Sequence, residues 1–227
     1  LKIQTLHAFC EQLLPRFPLE AGVARGFTVL EDQAALALSH AAREDLARAA
    51  LDNPDGPIGR AYAHFAVELD WTSFQALLAR IEQDRAKLID YLARIADGRS
   101  PGPHALVGAD PDSDAAALQA DFMRWLDRDE WLETAELMAG GSVTDQACAE
   151  RMHAADWTFP EVSAVFLTSG APRKSMATKQ APDRARVWLT ALQDRVVATL
   201  GAVRKARVAE DTRHVLTLAQ AHGALYD

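Results

Sequence analysis

A chain of 227 residues that is 49% apolar and 25% charged, with a formal net charge of −8, can bury a sizeable core and is not a disordered chain. No apolar run approaches the roughly 20 residues of a membrane span, and no charged, apolar and small-residue leader opens the sequence. Composition therefore points to a soluble, cytoplasmic chain with no membrane partner. Its two cysteines, Cys10 and Cys148, read as reduced thiols.

The chain opens on a leucine, and Lys2-Ile3-Gln4-Thr5-Leu6-His7-Ala8-Phe9-Cys10 reads as a strand end turning into a helix. Such an opening implies a piece of a larger protein. Leu6 to Arg16 reads as a helix stopped around Pro15 and Pro18, and Phe27 to Leu30 as a short extended segment. From Glu31 to Leu51 alanine and leucine recur at helical spacing, until Asn53-Pro54-Asp55-Gly56-Pro57 breaks the pattern. Ile58 to Glu68 forms the next helix. Thr72 or Ser73 is placed to cap a longer one carrying Phe74, Leu77, Leu78, Ile81, Leu88, Tyr91, Leu92 and Ile95.

Three prolines with Gly102 and Gly108 make Arg99 to Asp112 a loop. Two or three helices follow over Ala115 to Ala155, broken at Gly140-Gly141, with Ser142 as the cap of the last. Pro160 to Ala164 leads into the β-prone Val165-Phe166-Leu167-Thr168. Ser169-Gly170-Ala171-Pro172 supplies turn residues, and Ser175 to Thr178 returns as the second strand. From Pro182 to Tyr226 no proline intervenes, and Val187, Leu192, Val196, Leu200 and Val203 mark one helical face, with Gly201 as a bend or a break near Arg207. The expected fold is all-α, an irregular multi-helix domain with one small β-hairpin.

Residues 2 to 30 resemble the UvrD-like superfamily 1 DNA helicases, and within them the AddA subunit of the AddAB helicase-nuclease. The resemblance rests on the Thr5-x-His7-x-Phe9 segment and on Arg16-Phe17-Pro18-Leu19-Glu20-Ala21-Gly22-Val23 with Phe27-Thr28-Val29-Leu30. Gly141-Ser142-Val143-Thr144-Asp145 and Phe166 to Lys179 add to it. It implies that residues 1–30 are a remnant of the first RecA-like motor subdomain and that 31–227 are the helical 1B-like insertion. Both ends of an insertion leave and re-enter the host at one place. It also implies a parent that is an ATP-dependent helicase with nuclease activity in double-strand break repair and recombination. That parent uses ATP and Mg, pairs with an AddB-type subunit, and binds single-stranded and duplex DNA.

The resemblance places Thr5 and His7 on the single-stranded DNA track, where a hydroxyl, an imidazole and helix N-terminal N–H groups meet phosphates. The alternative is that His7 merely hydrogen-bonds to the backbone and Phe9 fills the motor core. From Gly108 to Ala164 there are 13 acids and three bases, whereas from Phe166 to Arg207 there are nine bases against Asp183 and Asp194. This asymmetry fits either a polyanion surface or two solvated helix faces of opposite sign. Within the basic stretch Arg173, Lys174 and Lys179 are expected on a protruding hairpin tip that reaches duplex phosphates, or on a solvated basic turn. Trp71, Trp125, Trp131, Trp157 and Trp188 are able to stack on bases, yet four of them stand among helical apolar residues and read as core.

No Gly-x-x-x-x-Gly-Lys-Ser/Thr cradle occurs, so these residues do not hydrolyse ATP and carry no catalytic residue or cofactor of their own. His7 with Cys10, and His214 with His222, lack the second ligand pair of a zinc site. Asp110, Asp112 and Asp114, like Asp127, Asp129 and Glu130, read as helix N-terminal charges, so no metal site is expected. The rival readings are a helical module that packs on a partner subunit through the acidic face, and a small independent enzyme.

Overall fold

The computed structural model describes residues 9–10, 13–17 and 32–224. Among them are ten α-helices, one 3-10 turn at Leu14–Arg16 and one two-stranded antiparallel sheet, an all-α architecture with a single hairpin. The chain divides into two compact units, Leu1–Arg85 with Leu218–Asp227, and Ala86–Thr217. The expected boundary near residue 30 lies outside the described residues.

In the first unit, α1 (Asp32–Asp52) is rich in alanine and leucine and buries Ala42, Leu46 and Ala50, one residue per turn. Pro57 opens α2 (Pro57–Glu68), where its missing N–H has no intrahelical partner to lose. Phe65 of α2 is buried, and Tyr62 meets Phe74 of α3 (Trp71–Gln83) edge to face at 4.9 Å. The cap of α3 is Asp70 rather than Thr72 or Ser73: its carboxylate accepts the Ser73 N–H at 2.9 Å and the Ser73 hydroxyl at 2.8 Å. A carboxylate just ahead of the helix thus takes the orphan donor. The single long helix expected from Phe74 to Ile95 is two. Asp84 departs from helical geometry and closes α3, and α4 (Arg85–Ala96), which after Arg85 belongs to the second unit, starts afresh.

In the second unit, α5 (Pro103–Val107) occupies the tract expected to be loop. Pro103 starts it and Gly108, at φ +63°, stops it by donating to the His104 and Ala105 carbonyls. Helices α6 (Ala115–Trp125), α7 (Arg128–Ala139) and α8 (Val143–Ala154) follow, and each takes its N-terminal donors into the side chain ahead of it. Asp114 accepts from Ala117, Asp127 from Asp129 and Glu130, and Ser142 forms a capping box with Asp145. Helix α9 (Phe159–Val165) takes the place of the lead-in expected over Pro160 to Ala164, with Pro160 in its first turn.

The hairpin is shorter than expected, pairing Leu167 of β1 (Leu167–Thr168) with Pro172 of β2 (Ala171–Pro172), and Thr168 with Ala171. Ser169 at φ +49° and Gly170 at φ +78° close a two-residue turn of the primed kind. Reversal is therefore complete before Ser175 to Thr178, which is not a strand. Helix α10 (Asp183–Gly223) runs through Gly201 and Arg207 without interruption. Its seam in this unit is Ala185, Leu189, Leu192, Val196, Val203 and Ala206, while Val187, assigned to that face from spacing, is 69% exposed.

The core of the second unit centres on Trp131, which is 2% exposed and donates its indole N–H to the Met152 carbonyl at 3.0 Å. Trp157, Trp188 and Phe166 meet its ring edge-on at 6.1–6.3 Å. An indole that deep keeps its one donor only because the α8 C-terminus leaves a carbonyl free to accept it.

Candidate nucleic-acid interface

Residues 173–182 form a strap between β2 and α10, and the sequence pins it at four points. The Arg173 N–H donates to the Phe166 carbonyl at 2.9 Å, and its Nε donates to the Val165 carbonyl at 2.9 Å. Gln193 of α10 donates to the Arg173 carbonyl at 2.8 Å. Met176 and Ala181 are buried, and Thr178 is held by Asp145.

Asp145 is fully buried, and its Oδ2 accepts from the Ser142 N–H at 2.9 Å, the Ser142 hydroxyl at 2.7 Å and the Thr178 hydroxyl at 2.6 Å. Burial alone would raise this carboxyl. The bonds from Thr178 and Ser142 outweigh it and lower the group from 3.8 to about 2. Gly141 makes room for the cluster, since a Cβ there would stand 2.7 Å from Oδ2. Two segments read separately in the sequence, residues 141–145 and 166–179, are thereby joined.

The nine bases between Phe166 and Arg207 do not share one fate. Arg184 makes a two-pronged pair with Glu133 at 2.6 and 2.9 Å, and Arg186 pairs with Asp183. Lys205 lies 3.4 Å from the Gly108 carbonyl, Arg195 lies over the Trp125 ring, and Arg173 is spent on Val165. Lys174, Lys179, Arg204 and Arg207 remain exposed and make no ion pair among the described residues.

Of the three bases expected on a hairpin tip, none is there: the tip is Ser169-Gly170, and all three residues belong to the strap. Arg173 is half-buried and braces the strap, whereas Lys174 and Lys179 are exposed between its pinned residues. Thr5 and His7 lie outside the described residues. Phe9 and Cys10 are exposed.

An open groove of about 610 Å³ separates the strap from α10, with Lys174, Ser175 and Met176 on one side and Arg186, Thr190 and Asp194 on the other. Asp183 pairs with Arg186, whereas Lys174 makes no ion pair among the described residues. The groove thus carries Lys174 and Arg186 against the lining acid Asp194.

The remaining sequence candidates have local roles. Asp110 accepts the Asp112 N–H, and Asp114 and Asp127 are helix caps. No group of three or more metal-ligating side chains occurs among the described residues. Among them, too, no helix is long and apolar enough to cross a membrane. His222, 1% exposed, stands 3.2 Å from Glu82 in the first unit; His214 stands 3.9 Å from Glu210 in the second.

No protein-family model, no curated protein and no solved structure matches the chain.

Proposed function

We propose that the chain is a DNA-binding accessory domain, of the 1B kind, from an AddA-type ATP-dependent helicase-nuclease. On this reading it belongs to a cytoplasmic DNA repair machine that also carries the ATP and Mg site and an AddB-type partner. The observation that carries the reading is the selective pairing of the basic stretch. In a chain of net charge −8, Lys174, Lys179, Arg204 and Arg207 are left without carboxylates among the described residues, although acids outnumber bases. Long cationic side chains kept unpaired in this way are suited to phosphates and read no sequence. The motor chemistry belongs to other parts of the parent, because this sequence has no phosphate cradle.

The test is anisotropy of a labelled duplex titrated with the 227-residue chain in rising salt. The expected result is sequence-independent binding at low salt, with a logarithmic salt slope of about 0.9 per phosphate neutralised. Absence of binding at low salt would remove the reading.

A second reading is a helical module that packs on a partner subunit. Val67 and Trp71, 84% and 72% exposed around the α2–α3 turn, favour it.

A further inference from the structure

The five tryptophans divide sharply. Trp131 is core, Trp157 and Trp188 are half-buried against it, and Trp71 and Trp125 are exposed. Only Trp125 of the exposed pair has a cation over its ring among the described residues. The Arg195 guanidinium carbon lies 3.6 Å from the ring centroid, a stacking distance. Behind it, Trp125 leans on Phe122 at 5.9 Å, and Phe122 is itself buried against Phe159 at 5.1 Å. Its orientation is therefore set from the core, while 49% of the residue faces water.

As a stabilising contact this is a poor use of an indole. An exposed cation–π pair contributes on the order of the weakest interactions in a fold, and half of the residue stays wet. Arg195 is exposed as well and makes no ion pair among the described residues, so one face of its guanidinium is stacked on the indole while the opposite face and the outer donors are uncommitted. A flat indole held rigid with an unneutralised, planar cation stacked over it matches one ligand chemistry, an unpaired base carrying its phosphate.

The geometry points to Trp125 and Arg195 as a stacking platform for a base of a single-stranded nucleic acid. The base lies on the exposed indole or guanidinium surface, and Arg195 neutralises the attached phosphate. Duplex DNA does not serve, because its bases are already stacked and only its phosphates are offered. This inference rests on the DNA-binding reading above and adds to it a site that distinguishes single strands by their bases.

The experiment titrates the 227-residue chain, at one salt concentration, with a labelled oligothymidylate and with an abasic strand of equal length and charge. The oligothymidylate is expected to bind about tenfold tighter, within the range that one stacked base contributes. Trp125→Ala should abolish that preference, Trp125→Phe should retain most of it, and both should keep the salt slope, since neither removes a charge. Circular dichroism of each variant establishes that α6 is intact.

Equal affinity for the two strands, or a folded Trp125→Ala chain that still prefers thymidylate, overturns the platform while leaving phosphate binding in place. Failure to bind either strand at low salt overturns the DNA-binding reading and the platform together. Competition by thymidine monophosphate at the same concentration of bases would make the ligand a free nucleotide and overturn the assignment to a strand.

Discussion

Thr178 donates twice to Asp145, its backbone N–H to Oδ1 at 2.7 Å and its hydroxyl to Oδ2 at 2.6 Å. The same Oδ2 receives both donors of Ser142 at the start of α8. A buried carboxylate with four donors is stable only as an anion, so the cap of one helix and the fastening of the strap depend on one charge.

Because the Asp145 carboxyl is held at about 2 in the fold against 3.8 ordinarily, the unfolded chain takes up its proton first. Its contribution is fully present above about pH 3.8 and is lost as pH falls toward 2. Asp145→Asn should flatten stability across that window. At pH 7 it should cost on the order of 2–4 kcal/mol, since it removes charged hydrogen bonds and turns a donor toward donors. Urea unfolding followed by circular dichroism at pH 7 and down the acid series measures both effects, and an unchanged midpoint at pH 7 would contradict them.

Two glycines should respond oppositely to alanine. At Gly141 an added Cβ meets Asp145 Oδ2 at 2.7 Å and the Asp145 Cβ at 2.8 Å, so Gly141→Ala has to displace the cluster and should lower stability. At Gly201, inside α10, nothing lies within 4 Å, and Gly201→Ala should raise stability by about 0.5–1 kcal/mol through helix propensity alone. Thermal melting of the two variants beside the unsubstituted chain gives the signs.

In the first unit, Glu82 binds Arg43 through both oxygens at 2.7 and 2.8 Å, the Ser39 hydroxyl at 2.8 Å and His222 at 3.2 Å. Burial would raise Glu82, but Arg43 and Ser39 outweigh it and lower it below 4.5. For His222, burial first, and the nearby Arg85 and Arg43, hold the imidazole below 6.5 against the pull of Glu82. A depressed histidine contributes fully above 6.5 and loses that contribution as pH falls below it, and a depressed glutamate does so below 4.5. The first unit should therefore loosen at a higher pH than the Asp145 cluster. NMR titration of the His222 ring is expected to give a midpoint below 6.5; one above it would show the burial argument to be wrong.

Much of the helical framework is readable in the sequence because it is written in local chemistry. Gly140-Gly141 followed by Ser142 and Asp145 specifies a stop and a capping box within a few residues. Less local facts decide the elements that differ from expectation. Apolar spacing cannot reveal that Asp84 leaves the helix, nor that Asp70 outcompetes Thr72 and Ser73 as a cap. The hairpin closes early because Ser169, not only Gly170, accepts positive φ, which shortens the turn. Of the site, the basic stretch is visible as charge, but its division is not. Only the fold gives Arg184 to Glu133, spends Arg173 on Val165, and sets Arg195 over Trp125.

That division separates the three strap bases by experiment. Lys174 and Lys179 are exposed and unpaired among the described residues, so the double change Lys174→Glu and Lys179→Glu should leave the unfolding midpoint nearly unchanged. On duplex DNA it should weaken binding for all sequences alike and reduce the salt slope by about 0.9 for each phosphate no longer neutralised. Arg173→Ala should behave in the reverse way. It removes the Nε–H bond to the Val165 carbonyl, which costs about 1–2 kcal/mol of stability, and its effect on the slope should be small because the side chain is half-buried and already engaged. Measuring the unfolding midpoint and the salt slope for both variants keeps stability and DNA binding apart. A double Glu variant with the slope of the unsubstituted chain would make Lys174 and Lys179 solvated charges only, and the phosphate-binding side chains would have to be sought at Arg204 and Arg207.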